Sequence, residues 1–289
     1  MRRVGAGAGA LLLLVVVVPV LLPDPVATDF AAILRPPSAA HPLGTDQLGR
    51  DVAARLLVGA RLTLGLSVVT VLVTGAVGTA VGLACGYAGG RAGRAVLRLT
   101  DLLAALPTVL FGLLAAVVLG PGPVALLIAV TLVGWTPFAR QAHQLTVREV
   151  GQGYVEGAAA LGAGRVRVLG GHVLRNVARP LVAHACVRLA GTLLAVSGLS
   201  FLGLGIQPPT PEWGAMVAEG REFLFAAPHV VLAPSVAVVL VAALALLAGR
   251  ALGDSAAGRR SPARSRAGCR EHPRRSAGGN RMGDPPAPP

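Results

Sequence analysis

No lysine occurs anywhere in the 289 residues. A phosphate-binding loop of the Gly-Lys-Ser/Thr type is therefore excluded, and with it ATP binding by that route. Charged residues make up only 13% of the chain, against about a quarter in an ordinary soluble domain. Aromatic residues are 3%, and no nucleic-acid motif is present, so the formal net charge of +13 does not point to a nucleic acid. The three cysteines, Cys85, Cys186 and Cys269, lack metal-ligand spacing, and the six histidines are scattered. Neither metal nor cofactor is expected, and no catalytic set is visible. No segment of about ten residues alternates in polarity, which excludes a membrane β-barrel.

What the chain has is apolar length. It is 54% hydrophobic, with a mean hydropathy of +0.68. Its apolar runs are about 18–25 residues long, enough to cross a bilayer core as helix. The expected fold class is an all-α integral membrane protein. Six spans are predicted: Val4–Leu22, Leu62–Ala84, Leu97–Leu119, Pro123–Phe138, Leu181–Leu204 and Val230–Leu252. The fourth is short for a bilayer and is expected to continue as helix towards Arg148. Arg2 and Arg3 before the first run also suit a secretory signal. Pro19, Pro23 and the lack of a clean small-x-small cleavage site favour a retained helix.

Arginine placement orients the chain. With the N-terminus inside, the inner segments hold Arg2, Arg3, Arg91, Arg94, Arg98, Arg140, Arg148, Arg165, Arg167, Arg175 and Arg179. The outer ones hold Arg35, Arg50, Arg55, Arg61 and Arg221, together with Asp24, Asp29, Asp46, Asp51, Glu212, Glu219 and Glu222. Both termini are then cytoplasmic. Glu212, Glu219 and Glu222 read as a docking surface, and Pro208, Pro209 and Pro211 read either as a stiffened outer connector with Trp213 as an interfacial anchor or as part of that docking surface. His41 and Asp46 are too few and too scattered for a metal site.

The expected organisation is residues 1–24 as the first span, 25–60 as an extracytoplasmic segment, 61–253 as a five-span core with a cytoplasmic loop at 140–179, and 254–289 as a disordered basic tail. Gly78, Gly82 and Gly86, preceded by Gly75, form either a close-packing helix face or mere Gly-Ala richness. The spans hold almost no ionisable groups beyond Asp101, His184 and Arg188. An intramembrane enzyme would need a catalytic set, and a proton-coupled secondary carrier, the alternative class, would need a buried acid relay.

The loop segment Tyr154-Val155-Glu156-Gly157-Ala158-Ala159-Ala160-Leu161-Gly162 is followed by His172-Val173-Leu174-Arg175-Asn176. Glu156, Ala159 and Ala160 share a helical face, the acid suits a helix start, and Gly162 offers a stop. Such a small-residue helix is open to a partner's groove.

This loop resembles the EAA motif of permease subunits in binding-protein-dependent ABC importers. Three further segments resemble, in the right order, the dipeptide/oligopeptide/nickel permease family. They are His41-Pro42-Leu43-Gly44-Thr45-Asp46 with its continuation to Asp51, Gly86-Tyr87-Ala88-Gly89-Gly90, and Ser200-Phe201-Leu202-Gly203-Leu204-Gly205 running on to Gly214. The resemblance implies a six-helix type I importer permease and no bond chemistry in this chain. It implies as partners a homologous second permease, two cytoplasmic ATPases and an extracytoplasmic solute-binding protein, all around the lipid bilayer. Coupling to the ATPase would fall to Glu156, Gly157, Ala158, Leu161 and Gly162. The cargo would be a peptide or related small solute, with nickel chelate or glutathione as alternatives. Gly157 stands where the family usually has Ala, at a cost of about 1 kcal/mol in helix propensity, and Arg175 stands where it usually has Pro. Arg188 lies either on the translocation path, meeting a peptide carboxylate, or at the inter-permease interface, or snorkels to the inner surface.

Overall fold

The computed structural model describes residues 24–257. The first predicted span and nearly all of the predicted tail lie outside the described residues. Among the described residues the chain is helical, with a single isolated bridge, Thr45–Asp51, and no strand. The elements are α1 (Val52–Ala88), α2 (Gly90–Ala105), α3 (Thr108–Leu119), α4 (Pro123–Gly134), α5 (Thr136–Val150), α6 (Gly153–Ala160), α7 (Arg165–Phe201), α8 (Trp213–Gly220) and α9 (Pro228–Ala257).

Four helical stretches are long and apolar enough to span a membrane: α1, α4 with α5, α7 and α9. The predicted third span, Leu97–Leu119, is not one straight helix. It breaks at Leu106 and Pro107, and its halves meet at 80°. Pro107 has no amide hydrogen to give, and a residue preceding proline is driven to extended backbone, as Leu106 is at ψ 132°.

α1 starts ten residues earlier than expected, because the Asp51 carboxylate accepts from the Ala54 amide and caps the helix there. The presumed extracytoplasmic segment 25–60 therefore includes the first turns of α1. The 37 residues of α1 extend roughly 55 Å, well beyond a bilayer core of roughly 30 Å. Thr63, Ser67, Thr70 and Thr74 are all buried on this helix. The hydroxyls of the last three donate to carbonyls one turn back, each at 2.7 Å, so no hydroxyl there is stranded away from water.

The glycine row is a packing face. A Cβ at Gly78 would stand 2.3 Å from the Trp135 carbonyl oxygen. One at Gly82 would stand 2.4 Å from that of Ala139, and one at Gly86 would stand 2.7 Å from Thr146 Cβ. The contacts advance in step along both helices, so α1 and the α4–α5 span run parallel, backbone against side chain. α7 and α9 run antiparallel. Near one end of that pair Gly249 lies on Val187 and Ala183, and nearer the other Leu193 shares a core with Val238 and Ala242.

Two cores mark the two ends of the bundle. At one end Val52 and Ala60 of α1 join Trp213, Met216, Leu193 and Val238. At the other, Leu83 of α1 joins Ala142, Val155, Val168, Val173, Val177 and Leu181. The segment predicted as a cytoplasmic loop, 140–179, is mostly helix and holds all of α6 and the start of α7.

Candidate coupling and translocation site

α6 is a two-turn helix set between α5 and α7. It begins where the Val155 amide donates to the Gln152 carbonyl at 2.9 Å. It ends as the sequence suggests: Gly162 adopts φ +85°, and the Ala163 amide turns back to the Ala158 carbonyl at 3.1 Å, a Schellman closure. A side chain at Gly162 would be strained in that backbone region.

One residue of α6 points inward. Val155 is 3% exposed and sits in the core formed with α1, α5 and α7. Tyr154 ties the helix sideways. Its hydroxyl donates to Glu149 at the end of α5 and accepts from the Asn176 amide of α7 at 2.7 Å. Its ring stacks on His172 at 6.5 Å between centroids. The two motif halves, 22 residues apart in sequence, are thus joined in space.

The remaining side of α6 is open. Glu156 and Gly157 are exposed, nothing lies within 4 Å of a Cβ placed on Gly157, Ala158 is half-buried, and Leu161 is 91% exposed. The five predicted coupling residues therefore stand together, with Val155 and Tyr154 holding them from beneath. Sequence reasoning quoted Tyr154, Val155 and Asn176 but gave them no role. Arg175, the departure from the family pattern, is exposed on α7, just past a π-helical turn at Val168–Val173, and the helix continues through it.

Arg188 lies far along α7 from α6, about 35 Å of helix beyond the Arg165 start of α7. It borders a cavity of about 310 Å³ where the α2–α3 elbow, the α4–α5 junction and α7 meet. Thr108, Thr136 and Thr192 share this lining with aliphatic residues, and no acid does.

At the opposite end of the bundle from α6, two of the three acids read as a docking surface, Glu212 and Glu219, are turned inward. Asp46, Arg50, Arg55 and Glu219 form an ion cluster. Arg50 Nε lies 2.7 Å from Asp46 Oδ2, while Arg50 Nη2 and Arg55 Nη1 lie 2.8 and 2.9 Å from Glu219 Oε2. Glu212 is fully buried, caps α8 through the Ala215 amide at 3.0 Å, and accepts from the Thr63 hydroxyl at 2.9 Å. Of these acids Glu222 stays exposed, as do Asp24 and Asp29. Trp213 is not an interfacial anchor: it is 4% exposed and donates to the Leu56 carbonyl at 2.8 Å. His41 pairs with Asp51 at 2.9 Å, so His41 and Asp46 are drawn to different partners. An acid that balances a buried guanidinium is indistinguishable in sequence from one that faces water.

A bundle of bent and straight spans, with a short exposed helix braced at one end, is the layout of a transport permease. Residues 78–262 match the family described as "Binding-protein-dependent transport system inner membrane component", and the chain belongs to that family of ABC importer permeases. Among its relatives is the glutathione transport system permease protein GsiD of Salmonella typhimurium, 41% identical over 226 residues, or 78% of this chain and 73% of that one. GsiD of Escherichia coli O157:H7 is 38% identical over the same shares. Among solved structures, an inward-facing MetNI methionine ABC transporter chain superposes with a TM-score of 0.57 at 18% identity, covering 70% of this chain and 95% of that one. That likeness supports the type I permease fold.

Proposed function

We propose that this chain is one of two homologous permeases in an ATP-driven importer of short peptides, with glutathione, a tripeptide, as the foremost cargo. Relatives at 38–41% identity named for glutathione transport support that cargo class over a nickel chelate. Two ATPases sit against the α6 end, which is cytoplasmic together with both termini, and a solute-binding protein delivers cargo at the end carrying the ion cluster. The chain itself performs no bond chemistry. Nucleotide hydrolysis in the ATPases changes their grip on α6, and the bundle is biased between two states by that difference in contact. Arg188 faces the path.

The observation that carries this reading is the build of α6. Glu156, Gly157, Ala158 and Leu161 stand out as a small-residue surface with an apolar tip, while Val155 fixes the same helix in the core. An exposed leucine on a braced helix is suited to a groove in another protein.

The test is reconstitution of the chain with its sister permease, ATPases and binding protein in proteoliposomes. ATP-dependent uptake of glutathione, alanyl-alanine and nickel–histidine chelate would then be compared. Uptake of glutathione or the dipeptide that stops when the ATPases are left out is the expected result. Accumulation driven by a proton gradient without them would overturn it in favour of a secondary carrier.

A further inference from the structure

Arg188 is a half-buried cation to which the described residues offer no acid. Its Nε atom is buried with no hydrogen-bond partner. Arg50 and Arg55 differ in their acids: each is only 3% exposed at its side chain, and although Arg55 too has an unpartnered Nε, both reach Asp46 and Glu219. Arg140 likewise has Asp101. Arg188 has no acid in ion-pair range among the described residues and none in the lining of its cavity. One turn before it, His184 also has a buried, unpartnered Nε2, with its ring edge-on to Phe138 at 5.1 Å between centroids. Of the two, only Arg188 lines the cavity, and its guanidinium carries donors alone. A guanidinium withdrawn from water without a counter-charge is strongly unfavourable, and an arriving carboxylate removes that penalty through short, charge-assisted, two-pronged bonds.

The geometry points to a subsite in which Arg188 grips a carboxylate of the transported solute. This rests on the importer function proposed above. The space of about 310 Å³ falls within the usual range of small-molecule sites, from about 300 Å³ upward. Thr108 and Thr192 line the same cavity as Arg188 and bring hydroxyl groups to it. The Thr136 hydroxyl is already donating to the Val133 carbonyl at 2.9 Å, which leaves it as an acceptor. Two helix breaks border the spot, Leu106–Pro107 and Gly134–Thr136, while α7 passes it unbroken at Gly191. Two of the walls around the carboxylate thus lie at breaks in the helices that can hinge away from α7. The sign of the charge selects cargo. A peptide with a free carboxylate is held, a C-terminally amidated one is held less well, and a bare divalent cation is repelled.

The experiment uses the whole reconstituted complex, with Arg188→Gln and Arg188→Lys variants and uptake of glutathione and alanyl-alanine as readouts. Arg188→Gln is expected to reduce uptake about tenfold or more, the scale of a lost charged hydrogen bond. Arg188→Lys is expected to retain most of it. The amount of assembled complex should stay at the wild-type level in both. Wild-type uptake in Arg188→Gln overturns the subsite. So does a fall in assembled complex that matches the fall in uptake, which would place Arg188 against an acid of the sister permease. A wild-type complex that imports neither peptide with ATP would instead sink the importer function, and is distinguishable because it appears before any substitution is made.

Discussion

Asn176 donates to the hydroxyl of Tyr154 at 2.7 Å, and that same hydroxyl donates to Glu149. One phenol therefore clamps α6 to both helices that flank it. Tyr154→Phe keeps the ring against His172 and removes both bonds, each worth about 0.5–1.5 kcal/mol. We expect little change in thermal stability but a lower yield of solute imported per ATP hydrolysed, because the helix yields before the bundle does. Simultaneous measurement of phosphate release and uptake in proteoliposomes checks this.

Leu161→Asp should separate folding from coupling. The side chain is 91% exposed, and surface substitutions of this kind shift stability by about 0.5 kcal/mol or less. A charge at the tip of α6 would nonetheless be unwelcome in an apolar groove. The expected outcome is a permease of unchanged melting temperature that no longer co-purifies with its ATPases.

The glycine face makes a position-specific prediction. Gly82→Val would force atoms against the Ala139 carbonyl and the Ala142 methyl group and should cost about 1–3 kcal/mol or more. Gly65→Ala lies on the same helix with nothing within 4 Å and should be neutral or stabilising by up to about 1 kcal/mol. Thermal unfolding in detergent distinguishes the two.

Removing Glu219 leaves two buried guanidinium groups sharing Asp46 alone. Glu219→Ala is expected to destabilise by about 3–5 kcal/mol, and Glu219→Gln, which keeps a hydrogen-bond acceptor, by less. Because the cluster is sheltered, the loss should hardly vary with salt between low and physiological ionic strength. Melting curves at two salt concentrations test both statements.

The spans, the glycine face and α6 with its Gly162 stop were legible in the sequence, since each rests on local pattern: apolar run length, four-residue spacing and a helix-ending glycine. The elbow at Leu106–Pro107 was marked by its proline, but the unbroken apolar run on either side outweighed that signal. The early start of α1 was signalled by Asp51, a cap that hydropathy alone does not register. The inward turn of Glu212 and Glu219 and the joining of Tyr154 to Asn176 depend on partners from 22 to 169 residues away. No periodicity reports such pairings.

The interlocked faces of α1 and α5 have a mechanical consequence. Two helices whose backbones touch at Gly78, Gly82 and Gly86 cannot slide past one another without collision, so they behave as a single strut. Val155 plugs α6 into the foot of that strut and into the root of α7 together. A thrust on α6 would therefore bear on three long members together rather than be absorbed locally.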